Sequence, residues 1–236
     1  MADILTTYTE AIKELYGARL RSVVLYGSRA SGEETGESSD YNVLIILDKV
    51  DFADLKVLQP FTAKWIKKGN PPPLLFSEQG FVNAADVFPV EYTDMKEKHK
   101  VLAGNDPFAG LTIDLKHLRH QCEYELRSKL LKLRQGYLLS QGKPREVRSL
   151  LVGSLSSLLV LFRHAITLLG KQPPLKNTDA LRVLGECAGM DPQPFLSALA
   201  LKQGASVPSG VHETLMNEVM HEIETVIRKI DSVSPS

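Results

Sequence analysis

The chain has 236 residues, of which 43% are hydrophobic and 24% charged, a composition typical of a globular protein with one large or two small domains. Lys plus Arg and Asp plus Glu each total 28, so no net charge favours a nucleic acid or an anionic membrane surface. Two cysteines make a poor framework for disulfides or zinc, and the N-terminus lacks the pattern of a signal peptide. We therefore expect a cytoplasmic protein without a membrane partner.

The first half of the sequence alternates between helix and strand patterns. Apolar residues at helical spacing predict a helix from Ile4 to Tyr16, and a second helix is expected to begin at the capping residue Asp51. Apolar runs predict two strands in LRSVVLYG and DYNVLIIL, and the proline-led PPPLLFS predicts an edge strand. We also expect a fourth strand in FPVEYTDM and a short helix in KEKHKVLAG.

The second half contains no convincing strand. Long amphipathic segments with short connections predict an antiparallel helical bundle, and its most apolar helix is interrupted by Arg163 and His164, which argues against a membrane span. The segment AGNDPFAG is the expected boundary, which gives domains 1–107 and 108–236. The predicted fold class is therefore α+β, with an N-terminal mixed sheet and helices followed by an all-α bundle.

One loop carries the residue types of a phosphate and metal site. The first predicted strand runs into Gly27 and Ser28, and the second begins after Asp40. Glycine allows the backbone to approach a phosphate closely, and the Ser28 hydroxyl, neighbouring N–H groups and the Arg29 cation can bind phosphate oxygens. Magnesium prefers carboxylate and phosphate oxygens, so Asp40 is a candidate ligand for a magnesium ion bound to those phosphates.

The segment GSRASGEETGESSDYN resembles the signature of the polymerase-β-like nucleotidyltransferase superfamily, which is Gly-Ser, a spacer, and then Asp-hydrophobic-Asp. It is most similar to the minimal and the aminoglycoside (kanamycin) nucleotidyltransferases, and the resemblance covers roughly residues 5–102. It implies a nucleoside triphosphate as substrate, most often ATP, with Mg²⁺. It also implies transfer of a nucleotidyl group, usually AMP, to a hydroxyl of a small molecule or protein.

The resemblance assigns roles to particular positions. Gly27 and Ser28 match the triphosphate-binding pair, and Asp40 matches the first metal ligand. Asn42 stands where the family usually has its second metal-binding Asp, and an amide oxygen can ligate magnesium but brings no charge. The family takes a third carboxylate, a metal ligand or base, from a later strand.

FPVEYTDM offers two residues for the third carboxylate, with Glu91 preferred over Asp94. Because Asn42 weakens the second metal position, an alternative is a catalytically impaired protein that senses nucleotides or binds a protein partner, in the style of toxin–antitoxin nucleotidyltransferases. The apolar second helix of the bundle would suit a homodimer.

Overall fold

The computed structural model describes residues 3–30, 40–205, 208 and 210–233. The chain divides into two compact units, Met1–Ile113 and Asp114–Ser236, a few residues beyond the boundary expected from the sequence. The residues 31–39, for which the sequence predicts a short polar loop or helix, lie outside the described residues.

The first unit is a four-stranded mixed sheet with helices. The strands lie in the order β3-β2-β1-β4, where β1 is antiparallel to β2 and β4, and β2 is parallel to the edge strand β3. The elements in chain order are α1 (Ile4–Tyr16), a 3₁₀ turn (Gly17–Arg19), β1 (Leu20–Tyr26), β2 (Asn42–Leu47), α2 (Phe52–Ile66), β3 (Leu74–Ser77), α3 (Glu78–Asn83), α4 (Pro89–Glu97) and β4 (His99–Gly104).

Successive residues of the central strands project to opposite faces of the sheet, and each face packs against its own apolar cluster. Val23, Val43 and Ile45 face a cluster that includes Trp65 and residues of α1. Their neighbours in β1 and β2 face a second cluster of residues from α3, α4 and the turn before residue 113; it comprises Val24, Leu44, Ile46, Phe81, Ala85, Tyr92, Met95 and Phe108. The predicted strands β1, β2 and β3 are confirmed.

The predicted types of two elements are wrong: the expected fourth strand is a helix, and the expected short helix after it is a strand. FPVEYTDM forms α4 rather than a strand, with Pro89 in its first turn, and the segment after it forms β4 rather than a helix. The Tyr92 hydroxyl donates a hydrogen bond of 2.7 Å to the Phe81 carbonyl, and the two rings stack at 4.7 Å. These contacts with α3 stabilise a helical turn that places Tyr92 and Met95 on one buried face.

The end of the sheet where β1 begins, which we call the Arg19 end, carries paired charges. Arg19 donates two hydrogen bonds to the Asp54 carboxylate, at 2.6 and 3.0 Å, and one of 3.2 Å to Asp48. Asp54 also accepts the Asp51 N–H at 2.9 Å, while Asp51 caps α2 as expected. The hydrogen bonds from Arg19 are the main reason why the pKa of Asp54 is lowered.

The second unit is a helical bundle, as predicted. Its most apolar helix packs against each of the other four, and nearly every third or fourth residue of that helix is buried. The helices are α5 (Leu115–Ser140), α6 (Pro144–Leu168), α7 (Asn177–Ala188), α8 (Gln193–Lys202) and α9 (Val211–Asp231).

By length and composition alone α6 could cross a membrane, but half of its most apolar window is buried within the protein. Burial among these helices raises the pKa of the Cys122 thiol to about 12, which leaves it an inert core residue.

Candidate functional site

The sheet end opposite the Arg19 end, which we call the Gly27 end, contains the turn expected to bind phosphate. Gly27 follows β1 directly and has a φ of 82°, a left-handed conformation that favours glycine. Its N–H donates to the Lys98 carbonyl at 2.9 Å, and its carbonyl accepts the Ala30 N–H at 2.9 Å, which closes the turn. A side chain at Gly27 would lie 3.4 Å from the Asn42 amide. Ser28 lies half-buried within this turn.

Asp40 and Asn42 lie where β2 begins, beside the end of β1. Asn42 pairs with Tyr26 across the antiparallel ladder, and paired residues project to the same face. Burial, and then the negative charge of Asp40, raise the pKa of Tyr26, so its hydroxyl keeps its proton at neutral pH. The structure thus brings Asp40, Asn42 and the Tyr26 hydroxyl to one side of this sheet end, with Asp40 exposed to solvent.

The expectation that a later strand carries a third carboxylate is wrong. The described strands after β2 are β3 and β4, and their sequences LLFS and HKVLAG contain no Asp or Glu. Glu91 instead lies exposed in the first turn of α4, and Asp94 is half-buried on the same helix. Within the described part of the chain, no three His, Cys, Asp or Glu side chains are grouped so that they could hold a metal ion.

Two of the described residues at the Gly27 end have side chains that can ligate a magnesium ion. A carboxylate at Asp40 and an amide oxygen at Asn42 are both oxygen ligands, and magnesium commonly binds one or two carboxylates while phosphates and waters complete its shell. Among the described residues beside the turn, Asn42 is neutral and the strands β3 and β4 contain no acid, so Asp40 supplies the negative charge there. These donors are compatible with a magnesium ion that also binds phosphate oxygens.

Two residues at this end were missed by sequence reasoning. His99 pairs with Tyr26 from the other side of β1, and its Nε2 lies 3.2 Å from an Asp106 oxygen while its Nδ1 lies 3.0 Å from the Lys96 carbonyl. The sequence predicted a solvated or hydrogen-bonded histidine within a short helix; the hydrogen-bonding contacts are present, but the residue lies in β4. Tyr41, between Asp40 and Asn42, supports the guanidinium of Arg29, whose Cζ lies 4.1 Å from the ring centroid. The sequence did contain a signal for Tyr41, because it is an aromatic residue between two polar residues at the start of a predicted strand.

No protein-family model and no curated protein sequence matches this chain. Among solved structures, the chain is similar to the spectinomycin adenyltransferase AAD(9) from Enterococcus faecialis, whose crystal structure contains ATP and spectinomycin. The TM-score is 0.56 at 13% identity, and the match covers 96% of this chain and 98% of that chain. The protein therefore has the fold of a known nucleotidyltransferase over both of its units, which confirms the fold class expected from the sequence.

Proposed function

We propose that this chain binds a nucleoside triphosphate with one Mg²⁺ at the Gly27 end and transfers a nucleotidyl group, AMP from ATP, to a hydroxyl acceptor in the cytoplasm. The observation that carries the proposal is the Gly27 turn. Its positive φ sets the backbone directly beside Asn42, and Ser28 follows in the same turn. The Gly27 and Ala30 N–H groups already donate to carbonyls, so the proposal relies on the close approach that a glycine backbone allows and on the Ser28 hydroxyl.

The proposed roles follow the chemistry of each group. Gly27 and Ser28 bind phosphates, Asp40 holds the magnesium ion, and Asn42 is a neutral ligand. When bound, the ion would neutralise phosphate charge and polarise the α-phosphate. The acceptor oxygen forms a bond to the α-phosphorus, and the bond to pyrophosphate breaks, so pyrophosphate leaves with the electron pair. For the carboxylate that takes the hydroxyl proton we propose Glu91, the residue to which the sequence resemblance assigns this role, although it lies on α4 and not on a strand.

A second candidate function is nucleotide binding without transfer. A sequence feature and a structural observation favour it: Asn42 stands where the resembled family signature has an acid, and neither β3 nor β4 carries a carboxylate. In phosphoryl-group chemistry, metal ions and charge positioning supply much of the lowering of the barrier, so a site with one carboxylate would retain binding and lose rate. Such a protein would act as a nucleotide-dependent regulator of another protein.

The proposal is tested by calorimetric titration of ATP, GTP, CTP and UTP with and without Mg²⁺. We expect Mg²⁺-dependent binding to the wild type and at least about tenfold weaker binding to Asp40→Ala, because the variant loses the charged ligand. Glu14→Ala, which removes an exposed carboxylate on α1, is the matched control and should bind like the wild type. Absence of binding to all four nucleotides would refute both candidate functions.

An assay of pyrophosphate release distinguishes nucleotidyl transfer from nucleotide binding without transfer. Mg²⁺ and the nucleotide that binds are supplied with hydroxyl acceptors, first spectinomycin, because the solved structure of similar fold contains it. Release from the wild type that decreases in Glu91→Gln without a change in nucleotide affinity supports transfer. Binding without release, across a panel of small-molecule and protein acceptors, supports the regulator.

A further inference from the structure

We propose that Tyr41 is a positioning residue, which holds Arg29 against the phosphate turn so that the site selects nucleotides by the length of their phosphate chain. The inference rests on the proposed nucleotide binding and adds a specificity to it. It predicts that di- and triphosphates gain affinity from the Arg29–Tyr41 pair and that monophosphates do not.

The contact between Arg29 and Tyr41 is close. The guanidinium carbon lies 4.1 Å from the centroid of the Tyr41 ring, well within the range in which a cation is attracted to the electron-rich face of an aromatic ring. Arg29 itself lies in the turn closed by the hydrogen bond between Ala30 and Gly27. A guanidinium that lies over a ring uses its face for that contact, and its in-plane N–H groups are the donors that match phosphate oxygens.

Tyr41 is in turn fixed by a buried network. Its N–H donates to the Asn70 side-chain oxygen at 3.0 Å, and its ring lies 6.0 Å from that of Trp65. The Asn70 amide donates to the Trp65 carbonyl at 3.4 Å, and the Trp65 indole N–H donates to the Pro71 carbonyl at 2.9 Å. Asn70 and Trp65 are 6% and 2% exposed, so this network holds the Tyr41 ring in one place. A fixed ring reduces the conformational entropy that Arg29 would lose on binding a ligand.

Arg29 and the metal ligands approach the turn from different sides. Tyr41 packs against the cluster that contains Trp65, whereas Tyr26, the partner of Asn42, packs against the opposite cluster. Asp40 precedes Asn42 by two residues, and residues two apart in extended chain project to the same side, so we place Asp40 on the Tyr26 side. With a phosphate bound to the metal on the Tyr26 side, Arg29 on the Tyr41 side would contact a different phosphate of the same chain, which is why the pair is expected to act on di- and triphosphates.

The test compares Tyr41→Phe, Tyr41→Leu and Arg29→Ala by calorimetry with Mg²⁺ and either ATP, ADP or AMP. Tyr41→Phe keeps the ring and should bind ATP like the wild type. Tyr41→Leu should weaken ATP and ADP binding about threefold to tenfold, the range expected for loss of a cation–π contact, and leave AMP unchanged. The double variant Tyr41→Leu/Arg29→Ala should bind ATP no more weakly than Arg29→Ala alone, because the two residues act as one unit.

Several outcomes overturn the inference. ATP affinity in Tyr41→Leu that equals or exceeds that of the wild type, while Asp40→Ala still weakens ATP binding, would show that Tyr41 only packs against Trp65. Additive losses in the double variant, or an equal loss for AMP, would do the same. Because Leu at this half-buried position can impair folding, the unfolding midpoint of each variant is measured, and Arg29→Ala tests the same pair from its other member, which is also half-buried. A wild type that binds no nucleotide would remove this inference and the proposed function together.

Discussion

The two ends of the sheet use aspartate in opposite ways. At the Arg19 end, Asp48 and Asp54 are paired with a guanidinium and with backbone N–H groups. At the Gly27 end, Asp40 is exposed, and the neighbouring ladder position carries the amide of Asn42. An acid that is satisfied within the chain stabilises the fold, whereas an exposed acid beside a glycine turn is available to a ligand. Substitutions at the two ends should therefore change different measurable quantities.

The largest effect is expected for Gly104→Ala at the Arg19 end. Gly104 has a φ of 78°, and a Cβ there would lie 1.9 Å from the Arg21 carbonyl oxygen, so backbone strain adds to a backbone clash. We expect the free energy of unfolding to fall by about 3 kcal/mol or more. The control is Gly110→Ala, which has a φ of 76° but no described atom within 4 Å of the added Cβ, and should lose about 1 kcal/mol.

The free energy of unfolding of both glycine variants is measured by urea denaturation, which is followed by circular dichroism. Equal losses of stability in Gly104→Ala and Gly110→Ala would contradict the view that close packing, rather than φ alone, fixes the Arg19 end.

The second largest effect is expected for Asp54→Asn, which should lower the free energy of unfolding. The variant keeps the size of the side chain but loses the negative charge that accepts hydrogen bonds from Arg19 and Asp51, so we expect about 2 kcal/mol at pH 7. Because Arg19 lowers the pKa of Asp54, the stabilisation is present above the usual carboxyl value of 3.8 and is lost as pH falls through the lower folded value. The difference between wild type and variant should therefore shrink below about pH 4.

Asp51→Asn is the matched control for that experiment, because asparagine caps a helix about as well as aspartate and should change stability by less than about 0.5 kcal/mol. The denaturation midpoints of the wild type and of both variants are compared between pH 3 and pH 7. A gap between wild type and Asp54→Asn that widens on acidification would show that the ion pair does not stabilise the Arg19 end.

The smallest effect, and the only one on binding, is expected for Asn42→Asp at the Gly27 end. A second carboxylate two residues from Asp40 adds charge to the metal site, so we expect Mg²⁺-dependent affinity for ATP to rise about tenfold. Without Mg²⁺ the added charge should give no gain, since it repels both Asp40 and phosphate. Calorimetry with and without Mg²⁺ measures the difference.

Asn83→Asp, which adds the same charge on the exposed surface of α3, is the control and should leave ATP affinity unchanged. If Asn42→Asp lowers stability as much as Asp54→Asn does and leaves Mg²⁺–ATP affinity unchanged, the Gly27 end is a structural feature like the Arg19 end.

Much of the fold was predictable because its signals are local. The helix from Ile4 to Tyr16 follows from apolar spacing, and the cap at Asp51 follows from the preference of helix starts for side-chain acceptors. Buried strands β1 and β2 follow from short apolar runs. The Gly-Ser and Asp spacing predicted that Gly27, Ser28 and Asp40 serve one site, and in the structure the antiparallel pairing of β1 and β2 brings the end of β1 beside the start of β2.

The sequence by itself determined most helices, the strands β1, β2 and β3 and the glycine turn after β1, because period, capping and glycine conformation are properties of neighbouring residues. Only the tertiary structure decided the types of α4 and β4. Tyr92 becomes helical through its contacts with Phe81, and the charged segment after it becomes a strand by pairing with β1. The support of Arg29 by Tyr41, Trp65 and Asn70 was likewise hidden, since it joins residues that are distant in sequence and meet only after folding.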